Sequence, residues 1–327
     1  MVLALAGIWW LRRGGEAPPP DSARVQAGVL GDGFTTLVGP RDVHDSRRIV
    51  ELDRDGKTQE YKALRVDGDV RVVGTREGTA VGWREGRNIK LATLDVDGRP
   101  DHVSTWGKKA TQLCEGTASN EYRFAVGWLE SDGRVWIVHG PLGRLADAST
   151  MATGPEVVKG EWCGIASAER NVVLLWRDNG RLYMNFCGPK DCGGRVVGLP
   201  IERTETLLGF GCIANSCLFA TRDKRGATRL LRVTEQGRAL AVPLELARAD
   251  TAFSIVGAGG RAFAISYIAK DGRPTIQRIT VDGEITSVWH FEGADEAPTL
   301  AWADEKLLVV LTRWQSESFH VLDAPRE

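Results

Sequence analysis

The stretch TAVGWREGRNIKLATLDVDGR, from Thr79 to Arg99, has two apolar runs separated by a charged turn that contains glycine, and it ends on Asp-Gly and one Arg. The same shape returns as FAVGWLESDGRVWIVHGPLGR, from Phe124 to Arg144, and as VVLLWRDNGRLYMNFCG, from Val172 to Gly188. Weaker copies precede and follow these three. The stretch is therefore one unit of an internal repeat, and the repeat governs how the whole chain is interpreted.

The repeat has a nearly constant period. Aligned on the last residue of the first apolar run, the units place there Val38, Trp83, Trp128, Trp176, Thr221, Tyr267 and Thr312. The successive spacings are 45, 45, 48, 45, 46 and 45 residues. Seven units cover the chain from about Arg24 onward, which favours one closed domain over the two that a length of 327 residues suggests.

Each unit holds four short apolar or alternating runs. In the second unit these are Val70 to Arg76, Thr79 to Trp83, Asn88 to Asp95 and His102 to Trp106. Four strands in about 46 residues, with Asp-Gly and Asn-Gly at the turns, leave no room for helices. A period in the forties with four strands is typical of a β-propeller blade. We therefore predict an all-β, seven-bladed propeller over residues 24–327, with the repeated Trp residues packed between blades.

The pattern also resembles a known group. The residues that carry it are Val173 to Gly188 most clearly, then Ala80 to Gly98 and Ala125 to Gly143. They are similar to the VxWxDxxxGxhxhxxhxxxG blade pattern (h, hydrophobic) of the broad group of secreted or periplasmic bacterial β-propellers. The resemblance covers the seven repeats and implies the fold, without a specific activity. The sequence signatures of WD40, sialidase, kelch and quinoprotein propellers are absent.

The N-terminus predicts export. Residues 1–11 form an apolar segment, and its run from Val2 to Leu11 is too short to span a bilayer as it stands. No positively charged stretch precedes the run, so it is either the trailing half of a signal anchor or a secretory apolar region with an unusual start. Residues 12–23 form a Gly- and Pro-rich linker. We expect a periplasmic or cell-surface protein, with a membrane tether through residues 1–11 as one alternative.

The six cysteines favour disulfides in an oxidising compartment. Two pairs, Cys187 with Cys192 and Cys212 with Cys217, each bracket four residues between predicted strands, where a hairpin brings the flanking positions together. Cys114 and Cys163 occupy equivalent strands of neighbouring repeats, so we predict a bridge between blades for them. Six cysteines allow 15 pairings, which the sequence alone cannot resolve. A metal site is the alternative, although zinc ligands usually come at two-residue spacing with a second close pair.

Composition and motifs give little sign of catalysis. The net charge of −1 with balanced signs gives no reason to expect nucleic-acid binding. The five histidines fall in different repeats, and no HExxH, P-loop or GxSxG motif occurs. We predict no catalytic residues, no metal ligands and no cofactor.

The turns between the second and third strands are the candidate binding site. They are rich in Arg and carboxylates, and in a propeller they share one rim with the connections between blades. The candidate residues for binding a ligand or partner are Arg177, Asp178, Arg222, Asp223 and Trp314. In the alternative, Asp, Asn and Gly merely form turns, and the neighbouring Arg pairs weakly with Asp at the surface.

Two function classes follow from these features. The favoured one is a non-catalytic binding or scaffold module outside the cytoplasmic membrane, which recognises a protein or glycan partner through the polar loop face. The alternative is a carbohydrate-active hydrolase or lyase with a site at the channel mouth, because propeller sites are assembled from loops of different blades and leave no sequence motif.

The last blade lacks residues for a fourth strand. After the run from Ser318 to Ala324, only Pro325, Arg326 and Glu327 remain in this sequence. Either a short, irregular outer strand around Asp21 to Arg24 completes the blade, or the blade has three strands. Three prolines precede Asp21 and cannot donate ladder hydrogen bonds, so we favour the three-stranded blade.

Overall fold

The structure is a computed structural model that describes most of the repeat region. The described residues are 25–30, 33–38, 47–66, 68–75, 78–119, 123–141, 145–152, 160–168, 171–188, 192, 195–242, 253–258, 260–294, 296–303, 305–313 and 316–323. Residues 1–24, residues 324–327 and the candidate Trp314 lie outside the described residues. In the described part of the chain, no helix has the length and apolar character needed to cross a membrane.

The described strands form seven antiparallel sheets in chain order, which confirms the predicted seven-bladed propeller. The first three blades consist of β1 (Val25–Leu30), β2 (Gly33–Val38), β3 (Arg48–Leu52), β4 (Thr58–Ala63); β5 (Val70–Thr75), β6 (Gly78–Glu85), β7 (Asn88–Leu94), β8 (Pro100–Trp106); and β9 (Ala110–Leu113), β10 (Ala118–Ser119), β11 (Arg123–Glu130), β12 (Val135–Pro141), β13 (Ser149–Ala152). A short 3-10 turn at Leu145–Asp147 precedes β13.

The other four blades continue the same order. They consist of β14 (Gly160–Ala168), β15 (Asn171–Asp178), β16 (Arg181–Cys187), β17 (Val197–Gly198); β18 (Thr206–Ile213), β19 (Ser216–Arg222), β20 (Thr228–Thr234), β21 (Ala239–Val242); β22 (Ser254–Gly257), β23 (Ala262–Ile268), β24 (Pro274–Thr280), β25 (Ile285–His290); and β26 (Thr299–Ala303), β27 (Lys306–Arg313), β28 (Ser316–Asp323). All seven alignment positions of the repeat lie in the second strand of their blade, so the sequence period corresponds to the blade period.

The hydrophobic core is divided among the blade interfaces. Seven clusters of buried side chains each join two neighbouring blades, because the middle strands are apolar on both faces. The predicted packing role of the repeated tryptophans is confirmed. Trp83, Trp128 and Trp176 are buried, and each belongs to the cluster that its blade shares with the preceding one.

The ring closes between the seventh and first blades. One cluster contains Phe34 and Val50 from the first blade together with Leu308 and Val310 from the seventh. The inner strands β1 and β26 also pack against each other. In the described part of the chain the seventh blade has three strands. Residues 21–24, which would supply the alternative outer strand, lie outside the described residues, so the choice between the two arrangements stays a prediction.

The structure contains all three predicted disulfides. Cys187–Cys192 and Cys212–Cys217 are local, whereas Cys114–Cys163 joins the third and fourth blades. Beside this bridge the inner strand of the third blade is divided into β9 and β10. Between them Glu115 leaves its own sheet, accepting a hydrogen bond from the Ile165 N–H (2.8 Å) and donating one to the Cys163 carbonyl (2.9 Å). The three bonds indicate an oxidising, extracytoplasmic environment.

Candidate functional site

The propeller has two faces with different turns. We call the face formed by the turns between second and third strands, together with the connections between blades, the arginine face. The turns between first and second strands and between third and fourth strands form the opposite face. Each strand reverses direction relative to its neighbour, so these two sets of turns lie at opposite ends of the strands.

In the fourth blade the candidates Arg177 and Asp178 end β15 on the arginine face. Asn179 and Gly180 form a two-residue hairpin turn, with φ values of 49° and 73°. Two successive positive φ angles are the reason for the Asn-Gly sequence, since these residues tolerate that backbone best. Asn179 Nδ2 donates to Asp178 Oδ1 at 3.0 Å. The turn thereby presents Arg181 as the first residue of β16.

In the fifth blade the candidates Arg222 and Asp223 end β19 and open the next turn. Asp223 Oδ1 accepts hydrogen bonds from the N–H groups of Arg225 (2.8 Å) and Ala227 (2.9 Å). This carboxylate therefore holds the backbone of its own turn, as the turn-forming alternative predicts. Lys224 and Arg225, which sequence reasoning did not select, are exposed at the tip.

The sixth blade shows the same use of a carboxylate. Asp271 Oδ1 accepts the N–H of Arg273 at 3.0 Å, and Asp271 Oδ2 accepts from the guanidinium Nε at 2.7 Å. The hydrogen bond from the Arg273 N–H, followed by the one from its side chain, holds the pKa of Asp271 below its usual range. In these two turns the aspartates hold the backbone of the turn, and in the sixth blade the Asp271 carboxylate also binds the Arg273 side chain.

An ion pair between buried Glu205 and half-exposed Arg229 lies at the connection between the fourth and fifth blades, and sequence reasoning did not find it. The Glu205 side chain is 4% exposed, and its Oε1 accepts from Arg229 Nη2 at 2.6 Å. Its Oε2 accepts from Arg229 Nε at 3.0 Å and from the hydroxyl of Thr221 at 2.7 Å. The partners are up to 24 residues apart, so no local spacing rule could have linked them. The pair rigidly positions the connecting loop beside the predicted turns.

An open depression of about 500 Å³ lies next to this loop at the rim of the fourth blade. Its lining residues are Arg181, Leu182, Tyr183, Gly198, Leu199, Ile201, Glu202 and Arg203. The Tyr183 ring stacks on Trp176 with centroids 5.8 Å apart. The aliphatic part of Arg203 lies over Gly180, so two guanidinium groups, those of Arg181 and Arg203, border the depression. The depression therefore combines apolar side chains with two guanidinium groups and one carboxylate, that of Glu202.

The opposite face has a different charge. Its described turns between third and fourth strands carry mostly acidic side chains: Asp53, Asp55, Asp95, Asp97, Asp147, Glu235, Asp282 and Glu284. The basic residues in the same turns are Arg54, Lys57, Arg99, Arg195 and Arg238. Acidic side chains therefore outnumber basic ones by eight to five in these described turns, an excess that the net charge of −1 for the whole chain does not reveal. Sequence reasoning missed this local excess of acidic side chains, because finding it requires assigning each turn to one face of the propeller.

A histidine cluster on the opposite face cannot work as a nucleophile-activating pair. Arg123 Nη1 donates to His139 Nδ1 at 2.9 Å, so the ring proton lies on Nε2, which donates to Ser149 Oγ at 3.2 Å. A base for Ser149 would need an unprotonated Nε2. Burial and the neighbouring charge of Arg123 lower the His139 pKa to about 4. The cluster is therefore structural.

Comparison with known proteins identifies the fold alone. No protein-family model matches the chain, and no curated protein sequence is significantly similar to it. A prolyl endopeptidase is 15% identical with a TM-score of 0.56, over 98% of this chain and 51% of its own. The S511A mutant of puromycin hydrolase complexed with PGG is 15% identical with a TM-score of 0.54, over 95% and 54%. This chain thus spans about half the length of those two enzymes.

A third similar structure matches along most of both chains. It is BBS1N in complex with ARL6DN, 13% identical with a TM-score of 0.55, over 93% of this chain and 92% of its own. All three similarities concern the propeller fold alone.

Proposed function

We propose that this chain is a non-catalytic scaffold propeller outside the cytoplasmic membrane that binds an acidic protein partner through its arginine face. The contact is centred on the fourth and fifth blades. The observation that carries the proposal is the depression bordered by Arg181 and Arg203, beside turns whose aspartates are already engaged. Two guanidinium groups, those of Arg181 and Arg203, against the single carboxylate of Glu202 give the border a positive balance for an acidic partner.

Arginine suits this role better than lysine would. Its planar guanidinium forms two parallel hydrogen bonds with a carboxylate, which gives orientation as well as attraction. The loop that carries Arg203 is held by the pair between buried Glu205 and half-exposed Arg229, so less conformational entropy is lost when a partner binds. Binding of one protein by a ring of this fold has a parallel in BBS1N, which was solved in complex with ARL6DN.

The proposed location rests on the disulfides. Three buried bonds persist where the surroundings are oxidising, which favours the periplasm or the cell surface. A tether to the membrane through residues 1–11, with residues 12–23 as linker, is part of the proposal. A reporter that is active only outside the cytoplasm, fused after residue 30 of the natural gene product, tests export. A silent reporter contradicts this part of the proposal.

The binding proposal is tested by charge reversal on each face. The R181E/R203E variant reverses the border of the depression, and R54E/K57E is the matched control on the opposite face. Affinity capture from the envelope fraction of the source organism is compared for the wild type and both variants. We expect a protein that the wild type and the control retain and that R181E/R203E loses by about tenfold or more. Retention should also fall as salt rises. Equal capture by all three proteins would refute the role of the arginine face.

A further inference from the structure

The outer strand of the fourth blade leaves room beside the Tyr183 ring. This strand, β17, consists of Val197–Gly198 alone, whereas the other described fourth strands, β4, β8, β13, β21 and β25, have four to seven residues. Gly198 pairs with Tyr183 in the register of β17 with β16, so a side chain at position 198 would lie on the same side of the sheet as the ring. Because glycine has no side chain, β17 does not cover the ring at this position, and both residues line the depression.

The fold does not require glycine at position 198. The φ angle of Gly198 does not lie in the positive region, so other residues adopt this backbone without strain. A Cβ at this position would lie 3.8 Å from Cε1 and 3.9 Å from Cδ1 of Tyr183, which is ordinary van der Waals contact. Glycine also weakens a strand, since it brings entropy and no packing. Stability therefore does not explain this glycine, and what it provides is the open space beside Tyr183.

The charged groups around this space have a positive balance. Arg181 and Arg203 are exposed, and neither has a hydrogen-bond or ion-pair partner for its side chain in the part of the chain that the structure describes. Glu202 is the carboxylate among the lining residues. At the neighbouring hairpin, Arg177 and Asp178 add one charge of each sign, and Asp178 Oδ1 already accepts a hydrogen bond within the turn. A partner therefore meets two available guanidinium groups next to an aromatic ring.

We propose that the depression is a subsite for one aromatic side chain from an acidic segment of the partner protein. This inference rests on the proposed function of the arginine face. The partner's ring lies over Gly198 against the Tyr183 ring, where edge-to-face and offset contacts between rings are favourable. The guanidinium groups of Arg181 and Arg203 attract both aromatic faces and carboxylates, so a ring flanked by acidic residues suits them on both counts. The volume of about 500 Å³ is large enough for such a side chain.

Two synthetic peptides test the subsite with the full chain. Fluorescein-labelled Asp-Glu-Phe-Glu-Asp carries a ring between acidic residues, and labelled Asp-Glu-Ala-Glu-Asp has the same charge without the ring. By fluorescence anisotropy, the wild type should bind the Phe peptide about tenfold more tightly than the Ala peptide, because the ring leaves water. The G198L variant should bind the Phe peptide only as tightly as the Ala peptide, because its leucine side chain occupies the depression. The R181E/R203E variant should bind both peptides more weakly than the wild type.

A241L is the matched control, because Ala241 is also exposed on the outer strand of a blade, that of the fifth. It should keep the wild-type preference for the Phe peptide, and neither A241L nor G198L should lower the melting temperature. No binding of the Phe peptide, equal binding of the two peptides by the wild type, or an unchanged preference in G198L would overturn the subsite. In each of these cases the loss of the captured envelope protein in R181E/R203E decides the proposed function separately. Unchanged binding of both peptides by R181E/R203E would overturn the acidic character of the ligand.

Discussion

His139 makes the stability of the ring depend on pH. In the unfolded chain a histidine has a pKa near 6.5, whereas in the fold burial and the charge of Arg123 lower the pKa to about 4. Between these values the unfolded state binds more protons, so stability decreases as pH falls from about 6.5 to about 4. The contribution of this single group is at most about 3 kcal/mol.

The substitution H139Q should remove much of this acid sensitivity. Glutamine keeps a side-chain acceptor for Arg123 and a donor for Ser149, yet it cannot be protonated in this range. We expect the difference in melting temperature between pH 7 and pH 4.5 to be smaller in H139Q than in the wild type. H102Q serves as the control, because the side chain of His102 is 86% exposed. An unchanged difference in H139Q would show that other groups govern the acid response.

Single residues also show how far the sequence could be interpreted. The burial of Trp83, Trp128 and Trp176 could be predicted, because a tryptophan at one fixed repeat position signals one fixed place in the blade. For Asp223 the sequence left two roles, partner binding or turn formation. Its two hydrogen bonds to backbone N–H groups support turn formation. The Glu205–Arg229 pair could not be predicted, because the two residues meet only after the connection between blades has folded back.

At the scale of elements, glycine allows inner strands of neighbouring blades to approach closely. In β18 an added Cβ at Gly211 would overlap the carbonyl oxygen of Ile255 in β22. At Gly28 of β1, the nearest atom would be the Thr35 methyl carbon at 3.7 Å, an ordinary contact. The G211A variant should therefore lose about 1–3 kcal/mol of unfolding free energy, because the backbones must separate.

G28A is the control for strand propensity and should change stability little. Urea unfolding of both variants measures the difference. Equal stability of G211A and the wild type would mean that β18 and β22 can move apart without cost.

The three disulfides should differ in their contribution to stability. The Cys114–Cys163 bond joins residues 49 apart, whereas each of the other two joins residues 5 apart. Loop-closure entropy predicts about 4 kcal/mol for the long loop and about 2 kcal/mol for a short one. The C114A/C163A variant should therefore unfold at lower urea concentration than C212A/C217A. The cysteines of both pairs are buried, so the cavities left by the Cys→Ala substitutions are comparable in the two variants. A reversed order would contradict the entropic account.

The elements also show which features the repeat could not predict. The second strands could be located, since burial on both faces makes them continuous apolar runs, as in β15 and β27. The division of the inner strand of the third blade into β9 and β10 could not be predicted. Glu115 leaves its own sheet because it pairs with the backbone of Cys163 and Ile165 in the next blade, beside the Cys114–Cys163 bond that joins residues 49 apart.

At the scale of the whole molecule, one blade interface differs from the other six. The first and seventh blades are consecutive around the ring but not along the chain, so side-chain packing and the Arg48–Glu317 pair hold them together without a connecting loop. Because the ring is rigid only while it is closed, this interface should decide whether the propeller unfolds in one step. The cooperativity of unfolding therefore measures how strongly the first and seventh blades are held together.

Two leucines allow the role of the closing interface to be tested, because the same Leu→Ala substitution can be made at that interface and at a connected one. Leu308 is buried between the seventh and first blades, and Leu218 is buried between the fifth and sixth, which a loop connects. Each Leu→Ala substitution should cost about 2–5 kcal/mol. In L218A we expect a single unfolding transition at lower urea concentration. In L308A the ring should open first, so amides of β26 to β28 should exchange faster at urea concentrations where the other blades remain protected. If exchange in L308A increased uniformly around the ring, the closing interface would be no weaker than the connected ones, and ring closure would not limit the stability of this fold.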